Sequence, residues 1–187
     1  MKNLVLIEHP YFIIDMMYAR TNNIVGRAIY EEIGFGNKAY VHNDAWQALL
    51  KIVPYLEENN LKLRICDAYR PPFAHQKLLK VVPNGLFAKT PEESGHCHGT
   101  AVDVCLCDAT GCNLCYPTQI DAYEKCFHEQ VCKGQFNEFA KHLRKARHDY
   151  VGATPEEIAN RETLKNLMEN IGFESIPHEW FCQFFKL

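Results

Sequence analysis

The sequence predicts an α+β fold, a single domain with helices packed on a mostly antiparallel sheet. Three observations predict it. Residues 61–66 and 101–107 alternate with strand period, residues 154–172 carry helical periodicity between matched start and stop signals, and 179–185 is an aromatic run of high β-propensity. At 187 residues and 21.6 kDa the chain is expected to form one domain, 1–187. A chain of that mass hides roughly 70% of its unfolded surface, enough for a core without staples. With 47% apolar and 23% charged residues and a mean hydropathy of −0.28, its composition is that of neither a disordered nor a membrane protein.

The first firm helix starts at Asn43 or Asp44 and carries Trp46, Leu49, Leu50, Val53 and Leu56 on one face, with Pro54 expected to kink it. Leu61, Leu63 and Ile65 then alternate with Lys62, Arg64 and Cys66 in a strand that ends at Asp67-Ala68-Tyr69-Arg70, before Pro71-Pro72. A second strand is expected from Ala101 to Cys107, with Val102, Val104 and Leu106 on one face and Asp103, Cys105 and Cys107 on the other. Asp108-Ala109-Thr110-Gly111 is turn chemistry that makes this strand half of a hairpin. Thr154, Pro155 and Glu157 occupy the cap, first and third positions of a capping box. Ile158, Leu164, Leu167, Met168 and Ile171 supply that helix's apolar face, Gly172 closes it, and Glu179 to Phe185 reads as a terminal strand.

Charge excludes one class of partner. Twenty Lys and Arg against 23 Asp and Glu leave a net −3, and basic residues are scattered, as at Lys141, Arg144, Lys145 and Arg147, so nucleic-acid binding through counterion release is not expected. The apolar run Leu4-Val5-Leu6-Ile7 is broken by Glu8, too short for a signal-peptide core or a membrane span. Nine cysteines (66, 97, 105, 107, 112, 115, 126, 132 and 182) are an odd number with no export signal before them. Most are expected to be reduced thiols in a cytoplasm.

The densest polar constellation is Ser94-Gly95-His96-Cys97-His98-Gly99-Thr100-Ala101-Val102-Asp103. A flexible glycine-containing loop delivers an imidazole, and a carboxylate follows seven residues later at the start of a strand. Nitrogen and oxygen donors of this kind suit Zn²⁺, which takes three protein ligands plus water in catalytic sites. Read alone, the pair is also a loop histidine and a capping aspartate, and Arg70 is a surface ion-pair residue following a strand.

The motifs do not stand alone. Ser94, His96, Gly99, Ala101 and Asp103 meet the pattern Ser-x-His-x-x-Gly-x-Ala-x-Asp residue for residue, and Asp67 to Pro71 meet Asp-Gly/Ala-Tyr-Arg-Pro. An opening stretch, Asp15 to Asn23 with Gly26 and Tyr30, and a late one, Asn160-Arg161 through Gly172-Phe173, occur in the expected order. On these residues the sequence resembles the zinc D-alanyl-D-alanine dipeptidases of the VanX type, relatives of bacterial cell-wall D,D-carboxypeptidases. The resemblance spans essentially the whole chain. It implies one catalytic zinc ion bound by His96 and Asp103, with Glu179, in Glu179-Trp180, as the general base. Arg70 would stabilise the oxyanion on the peptide carbonyl, where a permanently charged, directional guanidinium needs no tuning of its protonation. It also implies that Ser94, Tyr18 and Asp121 lie near the termini of a small D,D-dipeptide, with Asp121 facing the ammonium group. Asp121 is equally readable as a helix-terminal acid.

One position departs from the family. Its third zinc ligand is a histidine three residues after the glutamate, and here that position is Cys182. Thiolate binds zinc at about 2.3 Å, so a His-Asp-Cys site is chemically sound. It carries two anionic ligands, from which a less acidic zinc-water and activity displaced to higher pH, or reduced, are expected. His98 and His178 stand open as other third ligands. On a regular strand Glu179 and Cys182 point to opposite faces, so both reach one metal only if the backbone bends or bulges. Otherwise Cys182 is a buried thiol beside Trp180 and Phe184. For the cluster Cys105, Cys107, Cys112 and Cys115, simple strand packing is favoured over a second zinc or an oxidisable Cys107/Cys112 pair.

The function expected is zinc-dependent hydrolysis of D-alanyl-D-alanine, depleting or recycling the building block of peptidoglycan termini. The competing readings are a D,D-carboxypeptidase acting on longer peptides and a non-catalytic metal-binding or thiol-sensing homologue. Retention of Glu179 and Arg70 speaks against the last, because metal storage requires neither.

Overall fold

The computed structural model describes residues 3–82, 87–120 and 137–186. Its strands are β1 (Leu4–Leu6), β2 (Phe12–Ile14), β3 (Tyr40–His42), β4 (Leu61–Asp67), β5 (Ala101–Asp108), β6 (Phe173–Ile176) and β7 (Glu179–Phe185). β1 and β3 form an antiparallel ribbon, and the other five form a sheet ordered β2-β4-β5-β7-β6. Only β2 runs parallel to its neighbour; β4, β5, β7 and β6 are joined antiparallel. The fold is thus α+β with a mostly antiparallel sheet.

The described helices are α1 (Ile29–Glu32), α2 (Asn43–Leu49), α3 (Val53–Glu58), α4 (Pro72–Val81), α5 (Gly95–His98), α6 (Asn137–Ala146) and α7 (Pro155–Asn170). The helix expected from Asn43 is broken by one 3₁₀ turn, Leu50–Ile52, and resumes as α3 with Pro54 in its first turn. Proline has no N–H to give to the carbonyl four residues back, so the ladder breaks there and restarts where the missing donor costs least. Ala45, Ala48, Leu49, Ile52 and Leu56 form the buried stripe of this interrupted helix. α3 packs on β4, and α7 packs on β5, β6 and β7.

α7 starts as expected. Thr154 Oγ1 accepts from Glu157 N at 3.2 Å, and the Glu157 carboxylate accepts from Thr154 N at 2.7 Å. Leu164 and Met168 are buried, but Ile158 is exposed and the buried Arg161 occupies the stripe in its place.

Two local expectations are corrected. The turn at Asp108 does bring the chain back antiparallel, but the return pairs with β5 by a single bridge, Cys107 to Asn113, and is not a strand; the strand partners of β5 are β4, along Asp103–Asp108, and β7, along Ala101–Asp103. The Asp108 carboxylate is the reason, because it accepts from Thr110 N, Thr110 Oγ1 and Cys112 N and curls the segment tightly. Residues 95–98 are a short helix and not a flexible loop. Ser94 Oγ caps it by accepting from Cys97 N at 3.4 Å, and Gly99, at φ 74°, ends it. A Cβ on Gly99 would lie 2.5 Å from Leu4 Cδ2 and 3.1 Å from His42 N, so only glycine closes this turn against the ribbon.

Thr154→Ala should cost about 1 kcal/mol of stability through loss of the capping box, read as a lower urea midpoint at unchanged m-value.

Candidate active site

Strand register places the chemistry. Asp67 on β4 pairs with Asp103 on β5, and Asp103 pairs with Cys182 on β7, so three polar side chains stand in one row across the middle of the sheet. α5 sets His96 over that row. Its carbonyl accepts from Arg70 N at 3.0 Å, and its Nδ1 lies 2.9 Å from the Ala68 carbonyl. A carbonyl only accepts, so Nδ1 carries the proton, and Nε2 faces Asp103 Oδ1 at 3.4 Å and Cys182 Sγ at 3.8 Å.

The ligand atoms of His96, Asp103 and Cys182 all lie within 4.8 Å of one another, and all three residues are buried. Asp103 Oδ1 is inaccessible to solvent and makes no hydrogen bond. An imidazole nitrogen, a carboxylate oxygen and a sulfur this close together are three donor atoms able to converge on one cation. A soft-to-borderline cation satisfies all of them, whereas a hard cation requires an all-oxygen shell. The metal-free charges point the same way. Burial opposes charging His96, yet the Asp103 carboxylate outweighs it and raises the imidazole pKa. Burial opposes ionising Asp103, yet His96 and then Arg70 hold its carboxyl below the usual range. Burial, then the charges of Asp103 and Glu179, push the Cys182 thiol well up. A cation among the three removes that last effect, because a coordinated thiol is deprotonated outright.

β7 carries the irregularity needed to bring Glu179 to the same place. Ser175 pairs with Gln183, but the next pair is Ile176 with Glu179, so Trp180, Phe181 and Cys182 bulge out of the ladder. The buried Gln183 holds the bulge, its Oε1 accepting from Ser175 Oγ at 2.8 Å and its Nε2 donating to the Trp180 carbonyl at 3.2 Å. Glu179 and Cys182 thereby line one cavity of about 170 Å³, together with Arg70, Ser94, His96 and Asp103. Phe87, Phe181 and Phe184 form apolar walls. A Cβ on Gly95 would lie 2.5 Å from Phe184 Cε1, so this glycine lets α5 approach β7.

Arg70 is almost wholly buried and its charge is fixed by Asp67. Nε and Nη2 donate to Asp67 Oδ2 at 3.1 and 2.6 Å, and Nη1 donates to His75 Nδ1 at 3.3 Å. Arg70 also lines the cavity wall. Burial disfavours the cation, but the Asp67 carboxylate outweighs it and raises the Arg70 pKa, so the side chain stays charged. Tyr30 donates to Asp67 Oδ1 at 2.6 Å, and His75 hands its Nε2 proton to the Ala88 carbonyl at 2.8 Å.

Of the residues singled out in the sequence, the structure gathers His96, Asp103, Cys182, Glu179, Arg70 and Ser94. Tyr18 is fully buried and does not line the cavity; its ring lies under the Arg70 guanidinium, 5.2 Å from centroid to Cζ. Asp121 lies outside the described residues. His98 is exposed with Nε2 at 2.8 Å from the Glu92 carbonyl, and His178 lines the cavity without joining the triad, which leaves Cys182 as its third member. Cys105 and Cys107 are buried, Cys112 and Cys115 exposed, and all four are free thiols. Sequence reasoning gave no role to Asp67, Tyr30 or His75. The Asp67-x-x-Arg70 spacing at a strand end was the available signal.

A buried donor triad beside a carboxylate and an anchored guanidinium, lining one cavity on an α+β scaffold, is the set of groups a metallopeptidase centre requires. The family model described as D-ala-D-ala dipeptidase, of the M15 peptidases, matches residues 7–186, and the chain belongs to that family. It is 30% identical over 173 residues to the D-alanyl-D-alanine dipeptidase of Escherichia coli (strain K12), covering 92% of this chain and 78% of that protein.

Asp67→Asn should destabilise the fold by about 3–5 kcal/mol, because it strands a buried guanidinium, and chemical denaturation measures it. Cys182→Ser should cut metal retention by more than the roughly 10–100-fold that loss of an outer-shell partner costs, checked by metal content after dialysis against a chelator.

Proposed function

We propose that this protein hydrolyses D-alanyl-D-alanine, with one zinc ion held by His96, Asp103 and Cys182. The observation that carries the reading is the convergence of that triad with Glu179 and Arg70 in one small cavity. Family membership and the identity to a D-alanyl-D-alanine dipeptidase support the substrate. The ion supplies Lewis acidity, which makes a water easier to deprotonate and a carbonyl easier to attack.

The protein side chains do the rest. Glu179, on the bulge next to the triad, takes the proton of the attacking water and returns it to the leaving amine. Arg70, in the cavity wall, stabilises the charge that grows on the carbonyl oxygen. Asp67, Tyr30, His75 and Tyr18 hold that guanidinium in place, so little reorganisation is left for the moment of reaction. Ser94 and Asp121 are assigned to the ends of the dipeptide. A cavity of about 170 Å³ is small beside the roughly 300–1,000 Å³ of drug-sized ligand sites, which favours a dipeptide over a longer peptidoglycan peptide. The described cysteines are all free thiols, as suits a reducing cytoplasm. Among the described residues no helix is long and apolar enough to cross a membrane.

Glu179→Gln should keep its metal and lose about 10²–10⁴-fold in kcat on D-alanyl-D-alanine, and turnover equal to the parent's would remove Glu179 from the reaction. The parent should cleave the free dipeptide and spare an N-acylated tripeptide; the reverse preference makes it a carboxypeptidase. Cys182→His removes one negative charge from the triad, so the acidic limb of the pH–rate profile should move to lower pH. An unmoved limb takes Cys182 out of the ligand set.

A further inference from the structure

We propose that His75 is a positioning residue for the hydrolysis, the attachment that sets the rotation of the Arg70 guanidinium and ties it to the Phe87–Ala88 wall of the cavity. The role rests on the hydrolytic reading above, in which Arg70 meets the developing oxyanion. Asp67 alone leaves that guanidinium free to swing. Nε at 3.1 Å and Nη2 at 2.6 Å both donate to one oxygen, Asp67 Oδ2, because Oδ1 is taken by the Tyr30 hydroxyl at 2.6 Å. A guanidinium forked onto two carboxylate oxygens has its plane fixed, whereas two bonds to one oxygen leave a pivot. The position of the remaining nitrogen then decides the rotation, and that nitrogen, Nη1, donates to His75 Nδ1 at 3.3 Å.

The fold returns this imidazole to Arg70 within a single helical turn. Pro72 starts α4 two residues after Arg70, His75 N donates to the Pro71 carbonyl at 3.0 Å, and the helix face of Ala74, His75 and Leu78 is buried. A fully buried histidine has to satisfy both ring nitrogens, and only one form of His75 does so. A guanidinium cannot accept, so Nδ1 carries no proton. A carbonyl cannot donate, so Nε2, 2.8 Å from the Ala88 carbonyl, carries it. A protonated ring would turn a second donor against Arg70 Nη1, and the other neutral tautomer would lose both bonds. Burial lowers the His75 pKa, and against the opposing pull of the Ala88 carbonyl the Arg70 cation lowers it further, so the ring stays neutral near pH 7.

The other end of the tie is the cavity itself. Phe87 and Ala88 both line it, and the Phe87 ring centroid lies 5.2 Å from Arg70 Cζ and 6.4 Å from the His75 ring. One imidazole therefore holds the wall that faces the dipeptide and the guanidinium that faces its carbonyl oxygen in a fixed relation. The charge of Arg70 does not depend on this tie, since Asp67 secures it. Only its aim does. A misplacement of about 1 Å at a catalytic group costs on the order of 10²-fold in rate. The loss falls on kcat and spares KM, because Arg70 acts on charge that is present in the transition state and absent from the bound substrate.

The test measures D-alanyl-D-alanine hydrolysis and zinc content for the zinc-loaded full chain and two variants. His75→Leu should keep stoichiometric zinc and a KM within about threefold of the parent's, while kcat falls on the order of 10–10²-fold. His75→Gln should recover most of that loss, because its amide can donate to the Ala88 carbonyl and accept from Arg70, a pairing leucine cannot make. An unchanged kcat in His75→Leu, or an equal loss in both variants, overturns the proposal. Because leucine among buried polar groups can disturb folding, nitrogen-15 NMR of the histidine rings in the zinc-loaded parent gives an arm that needs neither that variant nor turnover. His75, assigned by the signal that His75→Gln lacks, should carry its proton on Nε2 and none on Nδ1, and a proton on Nδ1 overturns the proposal. The expected tautomer in a parent that cleaves no dipeptide would instead overturn the hydrolytic reading and reduce the tie to a structural one.

Discussion

The hydrogen bond from His96 Nδ1 to the Ala68 carbonyl decides what the centre of this molecule can do. It fixes one imidazole proton on the far side of the ring, so the Nε2 electron pair is delivered into a space already faced by a carboxylate and a sulfur. Strand pairing brings Asp103 and Cys182 there, and the short helix α5 brings the ring. Each element is tied to the next, because Ala68 directly follows β4, Arg70 N bonds the His96 carbonyl, and Gly99 turns the chain into β5. The site is therefore a product of register, and a one-residue slip on β5 would send Asp103 to the opposite face.

The charges around it fall into two groups with different purposes. Arg70 and Asp67 neutralise each other in a dry pair, closed over by Tyr30, Tyr18, Phe87 and His75, and this pair aims a cation at the cavity without leaving net charge behind. Asp103, Cys182 and Glu179 bring three acidic groups together, and burial, then the charges of Asp103 and Glu179, raise the thiol. A divalent cation among the triad would offset that crowding. Further along β5 the same face carries sulfur, where Arg64 supplies the compensating charge.

Much of this was legible in the residues. The strand at Leu61–Asp67, the capped helix from Pro155 and the terminal strand from Glu179 follow from periodicity and caps that agree with their tertiary setting. The need for a bulge between Glu179 and Cys182 also followed from the strand period, and the structure supplies it at Trp180–Cys182. What was not legible depends on non-local partners. β1, β2 and β3 are three residues each, too short for a periodic signal, and exist because neighbouring strands pair with them. The helix after Pro71 hides behind two prolines that read as a break but serve as its start. Asp67, Tyr30 and His75 act through Arg70, and nothing local to Tyr30 or His75 in sequence shows that they meet it.

The measurement that bears most directly on this account is X-ray absorption at the zinc edge of the zinc-loaded protein. It should show one sulfur at about 2.3 Å together with nitrogen and oxygen neighbours at about 2.0–2.2 Å, the sulfur vanishing in Cys182→Ser. A zinc shell of nitrogen and oxygen alone, or protein that takes up no stoichiometric metal, would contradict the triad on which the function rests.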